Sequence, residues 1–537
     1  MCGILFATPL VEIEEKDIPT YANSMLNLGF NGLARSGNRG KDGGCGVAFF
    51  NPKLEYKINI EKSDIPLQLR TKIMEGYKIV PLDSINAPLA MLGHMRYATS
   101  GEANPSNRHP VMAHWPSYSC INEELKKGPH GVTLAMVVNG ETWIQPEWEE
   151  RIKDVDIKGA TCDSAKIAGM IVHDYSKNPN LEKVLSDVYD EIFDYGMIAA
   201  AGILVDDKEK KNYMFWMVDG GRPLCEAYID DFLLGISETV YPKTLKHLGE
   251  NNVKSVTQIN GGIIKIQDLS TRQIKTIEKN RIKPFCFFEK QYFQDHLSTN
   301  DGKTNASYRR KCGGAVAKEH PIALPNESVE ITAVPNSGNS YAHGFAAALN
   351  LPIYEIVCRS PLKQQIRTFM VSQDPDVRYY EGVFKFETSD EDCFNKVIVI
   401  IDDSIVRFNN LPSIVQKVRA AGASEVHVRI GCPPIISPCY SGVNMLPSET
   451  IVNQLNLNSM DIAKDHGPLE ERLKEYVHKR LGLIKIDSVG YLSVGALEEI
   501  CGPNHCFGCI KGEYPYKFKG MEELGFKFVP VNPLAYS

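Results

Sequence analysis

The hydrophobic pattern divides the chain into two parts. Up to about Gln267, short apolar runs bounded by Gly, Asn or charged residues predict buried strands, with two amphipathic helices between them. From about Val329, short strands alternate with helical stretches, which is typical of a parallel sheet with crossover helices. The predicted strands are residues 46–50, 134–138, 198–205, 213–218, 232–236, 330–335, 396–402 and 425–430, and the predicted helices are residues 163–175, 181–193, 340–349 and 412–420.

Two further stretches lack a clear period. Residues 298–307 are rich in Asn, Asp, Gly and Lys, which predicts a loop near a domain junction. The C-terminal residues contain several cysteines and no strong hydrophobic period. We therefore expect three regions: residues 2–270, residues 271–480 and a C-terminal tail of residues 481–537.

Composition and charge narrow the class of protein. Hydrophobic residues make up 43% of the 537 residues and charged residues 23%, as in globular proteins. The formal charge is -7 and no basic block stands out, so nucleic acid and membranes are not expected partners. No apolar run reaches the roughly 18 residues of a membrane span, and the N-terminus lacks the pattern of a signal peptide. We expect a cytoplasmic protein, whose 14 cysteines are more typical of core thiols, metal ligands or nucleophiles than of a disulfide framework.

Cys2 is the first candidate nucleophile. We expect the initiator Met1 to be removed because the next residue is small, which leaves a free α-amino group on the residue that carries the thiol. An α-amino group has an ordinary pKa of about 7.8 and a thiol about 8.5, so the amine can act as base for its own side chain. A cysteine at position 2 can also be accidental, so the motifs that follow it decide its meaning.

Several motifs follow Cys2 in a fixed order. They are the Gly-rich turn at residues 39–46, Gly93-His94-Met95-Arg96-Tyr97-Ala98-Thr99-Ser100-Gly101, Asn139-Gly140 and Cys162-Asp163-Ser164. Together they resemble the glutamine site of class II glutamine amidotransferases, which are N-terminal-nucleophile hydrolases with an αββα sandwich. The resemblance implies that Cys2 attacks the side-chain amide of glutamine and that Asn139 and Gly140 donate to the oxyanion. It also implies that Arg96, Thr99 and Asp163 bind glutamine, with Arg96 suited to the α-carboxylate and Asp163 to the α-ammonium.

A second site is predicted where residues 397–401 form a buried strand that leads into Asp402 and Asp403. Acidic residues at the carboxyl end of a parallel strand, followed by a helix N-terminus, are where α/β proteins bind phosphorylated ligands. On this pattern alone, an ordinary exposed loop is as good an interpretation.

The wider sequence resembles the type I phosphoribosyltransferase domain of the glutamine phosphoribosylpyrophosphate amidotransferase family. The resemblance is carried by Val334-Pro335-Asn336-Ser337-Gly338, Arg367-Thr368-Phe369, Ala420-Ala421-Gly422-Ala423 and residues 432–439, together with residues 219–224 and 237–239 of the first part. It implies an α/β parallel-sheet domain in which phosphoribosyl pyrophosphate and Mg²⁺ bind to Asp402, Asp403, Ser404, Arg407, Ser337 and Arg367.

The chain departs from this family in its substrate loops. Arg407-Phe408-Asn409-Asn410 stands where the family has R-G-T-T, in a loop that cradles the 5′-phosphate. We expect Phe408 to disfavour the positive φ that glycine adopts easily. Asn336 replaces an aspartate of the family pattern, and residues 361–366 differ from the loop that closes over substrate.

Four cysteines suggest a metal centre. The Cys506-Phe507-Gly508-Cys509 spacing allows two thiolates to share one soft metal, although two buried thiols are the alternative. In one branch of the family this pair, with cysteines at the positions of Cys286 and Cys439, ligates a 4Fe–4S cluster. Four thiolates also suit Zn²⁺, and the sequence does not separate the two.

The resemblance implies a glutamine-dependent amidotransferase that makes 5-phosphoribosylamine and pyrophosphate, the first step of purine synthesis. Two alternatives remain at this point: a divergent paralogue that aminates another acceptor, and a regulatory protein that senses a nucleotide. An intact glutamine site argues against the regulatory protein. Family resemblance also suggests a homodimer or homotetramer.

Overall fold

The computed structural model describes residues 2–39, 44–63, 87–96, 105–117, 131–249, 251–322, 328–359, 385–408, 410–443, 450–481 and 485–531. The chain divides into two compact units. The first unit contains Met1–Cys286, Cys439–Asn444 and Tyr514–Ser537, and the second contains Phe287–Pro438 and Met445–Glu513. Within the described ranges, no helix combines the length and apolarity needed to cross a membrane.

The first unit is built mainly from strands. They are β1 (Gly3–Pro9), β2 (Cys45–Phe50), β3 (Ile58–Ser63), β4 (Ala90–Met95), β5 (Val111–Trp115), β6 (Val132–Thr142), β7 (Gly196–Asp206), β8 (Lys211–Val218), β9 (Cys225–Ile229), β10 (Phe232–Ile236), β11 (Val253–Gln258), β12 (Ile263–Asp268) and β13 (Ile274–Glu278). The helices are α1 (Ile18–Arg35), α2 (Pro146–Arg151), α3 (Asp163–Lys177), α4 (Leu181–Ile192) and α5 (Val240–Leu248).

Among the described residues, these strands form two antiparallel sheets. One has the order β11-β9-β10-β1-β4-β2-β3 and the other has the order β13-β12-β8-β7-β6-β5. Alternate residues of each strand face opposite sides of its sheet, and the core clusters follow this period. Ile4 and Phe6 of β1 share a core with Trp216 of the second sheet, whereas Leu5 packs with the residues of α1. Because α3 and α4 cover the other face of the second sheet, the layers are helix, sheet, sheet, helix.

The second unit contains a parallel sheet in the order β14 (Val329–Ala333), β15 (Val397–Asp402), β16 (Glu425–Ile430) and β17 (Ser488–Tyr491). Each pair is parallel; Ile331 lies opposite Val399, for example. The longer helices are α6 (Asn305–Glu319), α7 (Asn339–Leu349), α8 (Leu411–Ala420), α9 (Gly467–Leu481) and α10 (Val494–Cys501). The residues of β15 are all buried, as expected for the inner strand of a covered parallel sheet.

The loop predicted at residues 298–307 is only partly correct. Residues Thr299–Asn300 pair with Lys303–Thr304 in a short hairpin, and α6 begins at Asn305. The Thr304 side chain accepts a hydrogen bond from the Ser307 N–H and caps the helix. The buried Asn300 amide donates to Gln294 and Asn305, so polar residues here form an ordered network that hydrophobic periodicity does not detect.

Candidate functional site

Cys2 lies directly before β1 and is held on both sides by buried polar groups. Its backbone N–H donates to Asn139 Oδ1 at 3.0 Å, and its carbonyl accepts from Arg39 Nε at 3.0 Å. The Arg39 side chain is fully buried, and its Nη1 lies 3.1 Å from Glu238 Oε1. Breaking a buried ion pair is costly, so this pair helps to hold Arg39, and with it Cys2, in place.

Asn139 and Gly140 lie near the end of β6, opposite Ala199 and Ile198 of β7. The Asn139 side chain is completely buried, and its Nδ2 has no hydrogen-bond partner in the described part of the chain, although its Oδ1 binds Cys2. A buried amide donor without an acceptor costs about 1–3 kcal/mol, so this donor is strongly available to a developing negative charge. Gly140 has a φ of +133°, and a Cβ there would lie 1.9 Å from the Met197 carbonyl oxygen, so only glycine fits.

The residues predicted to bind the glutamine α groups come from two other elements. Arg96 follows the last residue of β4, is buried, and donates from its backbone N–H to the Gly44 carbonyl at 2.9 Å. Asp163 is the first residue of α3, and its Oδ2 accepts from the Thr142 N–H at 2.9 Å, which links it to the end of β6. Thr99 lies outside the described residues, as do residues 40–43 of the Gly-rich turn.

Sequence reasoning missed Glu141, the residue after Gly140. Burial, followed by the nearby Asp163, raises its pKa to about 8, so its carboxyl group is mainly neutral at pH 7. It accepts a hydrogen bond from the Gly442 backbone N–H. The signal available in the sequence was an acidic residue inside an otherwise apolar strand, directly after the oxyanion pair.

A pair of buried histidines was also missed. The rings of His94 and His109 stack with their centroids 4.2 Å apart, and His94 Nε2 lies 3.1 Å from the Val138 carbonyl oxygen. Burial lowers the pKa of His94 to about 3, so the ring is neutral, and it can donate from Nε2 to that carbonyl. His94 therefore supports β6 one residue before Asn139.

In the second unit, Asp402 and Asp403 lie at the carboxyl end of β15. Asp402 Oδ1 accepts from the Asp403 N–H at 2.9 Å and lies 3.4 Å from Ser337 Oγ. Ser404 Oγ donates to Asp403 Oδ2 at 2.6 Å. Burial and the neighbouring Asp403 raise the pKa of Asp402 well above its usual range. The structure therefore brings Asp402, Asp403, Ser404 and Ser337 together.

The loop that follows, which is predicted to bind phosphate, has an unexpected backbone conformation. Phe408 was expected to disfavour a positive φ, yet its φ is +56°, in the left-handed region. Its side chain is 5% exposed, and its ring packs edge-on against Tyr476 of α9, with the centroids 6.0 Å apart. Burial of the ring offsets the backbone cost of about 1–2 kcal/mol. Arg407 is half-buried beside it, while Asn409 and Arg367 lie outside the described residues.

The four cysteines predicted to ligate a cluster are divided between the units. Cys286 and Cys439 belong to the first, and Cys506 and Cys509 to the second. In the part of the chain that the structure describes, no three side chains of His, Cys, Asp or Glu are arranged to hold a metal ion. The predicted cluster stays a prediction.

Comparison with known proteins identifies the family, although no protein-family model matches the chain. The chain is 31% identical over 502 residues to the chloroplastic amidophosphoribosyltransferase of Vigna aconitifolia. The aligned region covers 92% of this chain and 89% of that protein. It is 27% identical over 529 residues to the amidophosphoribosyltransferase of Methanocaldococcus jannaschii. This alignment covers 94% of this chain and 98% of that protein.

Two solved structures share the fold. The B. subtilis glutamine phosphoribosylpyrophosphate amidotransferase, complexed with ADP and GMP, has a TM-score of 0.69 at 21% identity and covers 96% of this chain and 98% of its own. A solved structure of the allosteric regulatory enzyme of purine biosynthesis has a TM-score of 0.70 at 22% identity and covers 97% of each chain. These matches confirm the predicted fold class, a sandwich followed by a parallel-sheet domain. The relative that is 31% identical over most of both chains shows that the chain belongs to the amidophosphoribosyltransferase family.

Proposed function

We propose that the protein hydrolyses glutamine at Cys2 and transfers the ammonia to phosphoribosyl pyrophosphate, giving 5-phosphoribosylamine and pyrophosphate. The observation that carries this proposal is the Asn139 side chain. Its oxygen binds the backbone of the nucleophile, and its buried Nδ2 is left with no partner among the described residues. An amide in this arrangement suits the oxyanion that forms when a thiolate adds to a carboxamide.

In the first half-reaction, the Cys2 α-amine takes the thiol proton and the sulfur attacks the side-chain carbonyl carbon of glutamine. Asn139 Nδ2 and the Gly140 N–H donate to the resulting oxyanion. When the tetrahedral intermediate collapses, the C–N bond breaks and ammonia leaves with the proton that the amine carried. Water then cleaves the thioester, which releases glutamate and restores the thiol.

Glutamine is oriented by its own charged groups. We assign the α-carboxylate to Arg96 and the α-ammonium to Asp163, with Thr99 as a further contact. Two hydrogen bonds support these assignments. The Arg96 N–H donates to the Gly44 carbonyl and the Asp163 carboxylate accepts from the Thr142 N–H, which places both residues at the ends of ordered elements.

In the second half-reaction, ammonia attacks the anomeric carbon of phosphoribosyl pyrophosphate and pyrophosphate leaves. We assign the ribose hydroxyls to Asp402 and Asp403, and the phosphate groups to Ser337, Ser404, Arg367 and Arg407. Bound Mg²⁺ would neutralise charge on the departing pyrophosphate, and carboxylate oxygens are ligands that it prefers. The four-cysteine cluster, the cytoplasmic location and the homodimer or homotetramer stay predictions.

The alternative acceptor suggested by Phe408 and Asn336 is less well supported. The relative at 31% identity spans both units, and the backbone at Phe408 has a left-handed conformation. The left-handed backbone at this position therefore does not require glycine.

The test of the glutamine site is the Cys2→Ala variant. We expect glutamine-dependent synthesis of phosphoribosylamine to be abolished, whereas synthesis from free ammonia continues. Cys225→Ala, which removes a buried thiol of β9, is the matched control and should retain both activities. The intact mass of the parent protein must correspond to loss of Met1. Glutamine hydrolysis by Cys2→Ala would overturn the assignment of the nucleophile.

A further inference from the structure

Residues 439–443, which we call the strap, join the first unit although the chain on both sides belongs to the second. The preceding segment of the second unit ends at Pro438, and the following one begins at Met445. Ser441, Gly442 and Val443 are buried in the first unit. The glutamine chemistry assigned above does not use any of them, so their contacts call for a separate explanation.

The strap binds the end of β6. Ser441 Oγ lies 3.2 Å from the Glu141 carbonyl oxygen and 3.4 Å from that of Met197. Trp143 Nε1 donates to the Tyr440 carbonyl at 3.0 Å. The Glu141 carboxyl group accepts from the Gly442 N–H. The strap therefore contacts both the backbone and the side chain of Glu141, the residue after Gly140.

Gly442 also lies directly against Gly140. A Cβ at position 442 would be 3.1 Å from both the Cα and the carbonyl carbon of Gly140, and 3.4 Å from the Glu141 nitrogen. The φ of Gly442 is +105°, which further restricts the position to glycine. Two glycine backbones are therefore packed against each other at the predicted oxyanion site.

Aromatic side chains of the C-terminal tail hold the strap in place. The rings of Tyr440 and Phe518 stack with centroids 3.7 Å apart and an interplanar angle of 15°. Tyr514 meets Tyr440 edge-on at 5.8 Å, and Phe518 also packs on Trp143 at 6.1 Å. The buried Arg222 guanidinium donates to the Ser441 carbonyl. Aromatic packing on Tyr440 and the hydrogen bond from Arg222 to Ser441 therefore hold the strap against the end of β6.

We propose that the strap is a positioning element for glutamine hydrolysis, in which Ser441 and Gly442 brace Gly140 and Glu141 and thereby align the oxyanion donors. This inference rests on the proposed function. Its physical basis is that oxyanion donors act only when they are preorganised, so a small displacement of the β6 backbone weakens them.

The test is Gly442→Ala, with Gly159→Ala as the matched control. Both glycines have positive φ, of +105° and +68°, but a Cβ at Gly159 meets nothing within 4 Å. We expect Gly442→Ala to lower kcat for glutamine hydrolysis at least about tenfold with the glutamine KM changed less than about twofold. Ammonia-dependent synthesis should stay within about twofold of the parent, as should both activities of Gly159→Ala.

Ser441→Ala keeps the inference testable if Gly442→Ala does not fold. It removes the hydroxyl near the Glu141 carbonyl, and we expect kcat for glutamine to fall about threefold to tenfold while the melting temperature stays near that of the parent. The inference is overturned if the strap variants that fold hydrolyse glutamine as fast as Gly159→Ala does. Cys2→Ala, run alongside, separates the two claims, because its activity tests the nucleophile and does not depend on the strap.

Discussion

The proposed glutamine site and the proposed acceptor site of this protein are built in different ways. Cys2 is placed by contacts distant in sequence: the side chains of Asn139 and Arg39 bind its two backbone groups. At the acceptor site, Asp402 is bonded to its neighbour Asp403, and the loop that follows depends on local backbone conformation. The first arrangement therefore depends on the identity of particular side chains. In the second, Phe408 has a left-handed backbone where the family pattern that the sequence resembles has glycine.

The comparison is informative because it separates the shape of a loop from the identity of its residues. A phenylalanine with a φ of +56° indicates that the surrounding structure determines the backbone, since phenylalanine itself disfavours this conformation. Burial of the ring against Tyr476 supplies a compensating interaction. The predictions below test whether the glutamine site is as intolerant, and the acceptor loop as robust, as this comparison suggests.

The largest effect is expected from Asn139→Asp. The variant keeps an oxygen to accept from the Cys2 N–H but replaces the Nδ2 donor with a second oxygen. We expect kcat for glutamine hydrolysis to fall about 10²–10³-fold, as for the loss of an oxyanion donor elsewhere, with ammonia-dependent synthesis retained. Asn180→Asp is the control, because Asn180 caps α4 through its side-chain oxygen and aspartate caps equally well. Equal activity of the two variants would remove Asn139 from the site.

A smaller effect, on stability, is expected from substitutions of Phe408 in the proposed acceptor site. Phe408→Gly and Phe408→Ala both lose the buried ring, so both should be less stable than the parent. The two differ mainly in backbone preference, and at a positive φ the glycine variant should be more stable by about 1 kcal/mol. Urea unfolding measures the difference. The same pair of changes at Leu473, inside α9, should give the opposite order, because alanine is favoured in a helix. The same order at both positions would contradict the left-handed conformation of Phe408.

The last prediction concerns the pH dependence of stability. Because burial and Asp163 raise the pKa of Glu141 from about 4.5 to about 8, the folded protein keeps a proton that the unfolded chain releases between these values. This group's contribution to stability is therefore lost as the pH rises toward 8. In Glu141→Gln that loss is absent, so its melting temperature relative to the parent should rise from pH 5 to pH 8.5. Glu147→Gln, at an exposed position, is the control. If the melting temperature of Glu141→Gln relative to the parent did not vary with pH, the Glu141 carboxyl group would not have the raised pKa.

The architecture could be predicted from the sequence because buried strands and amphipathic helices have different hydrophobic patterns. Fully buried strands such as β7 and β15 appear as continuous apolar runs, and the amphipathic α4 has a clear period. The order of motifs led to the family resemblance, which the relatives confirm. Local patterns could not predict groups whose meaning depends on distant partners. Arg39 and Glu238 are far apart in sequence, and the strap reaches β6 from about 300 residues away.

The conformation of Phe408 is a second feature that local sequence preferences do not predict. Residue preference alone predicts that phenylalanine avoids the left-handed region. The buried position of its ring beside α9 decides otherwise, and only tertiary structure shows that position.

The most direct test of the central claim is to count products. The protein, purified without oxygen, is incubated with glutamine and Mg²⁺, with and without phosphoribosyl pyrophosphate, and glutamate and pyrophosphate are measured. Our account predicts equal amounts of both products, formed only when phosphoribosyl pyrophosphate is present. Release of glutamate without pyrophosphate in the presence of both substrates would contradict it and would show that the ammonia is transferred to another acceptor.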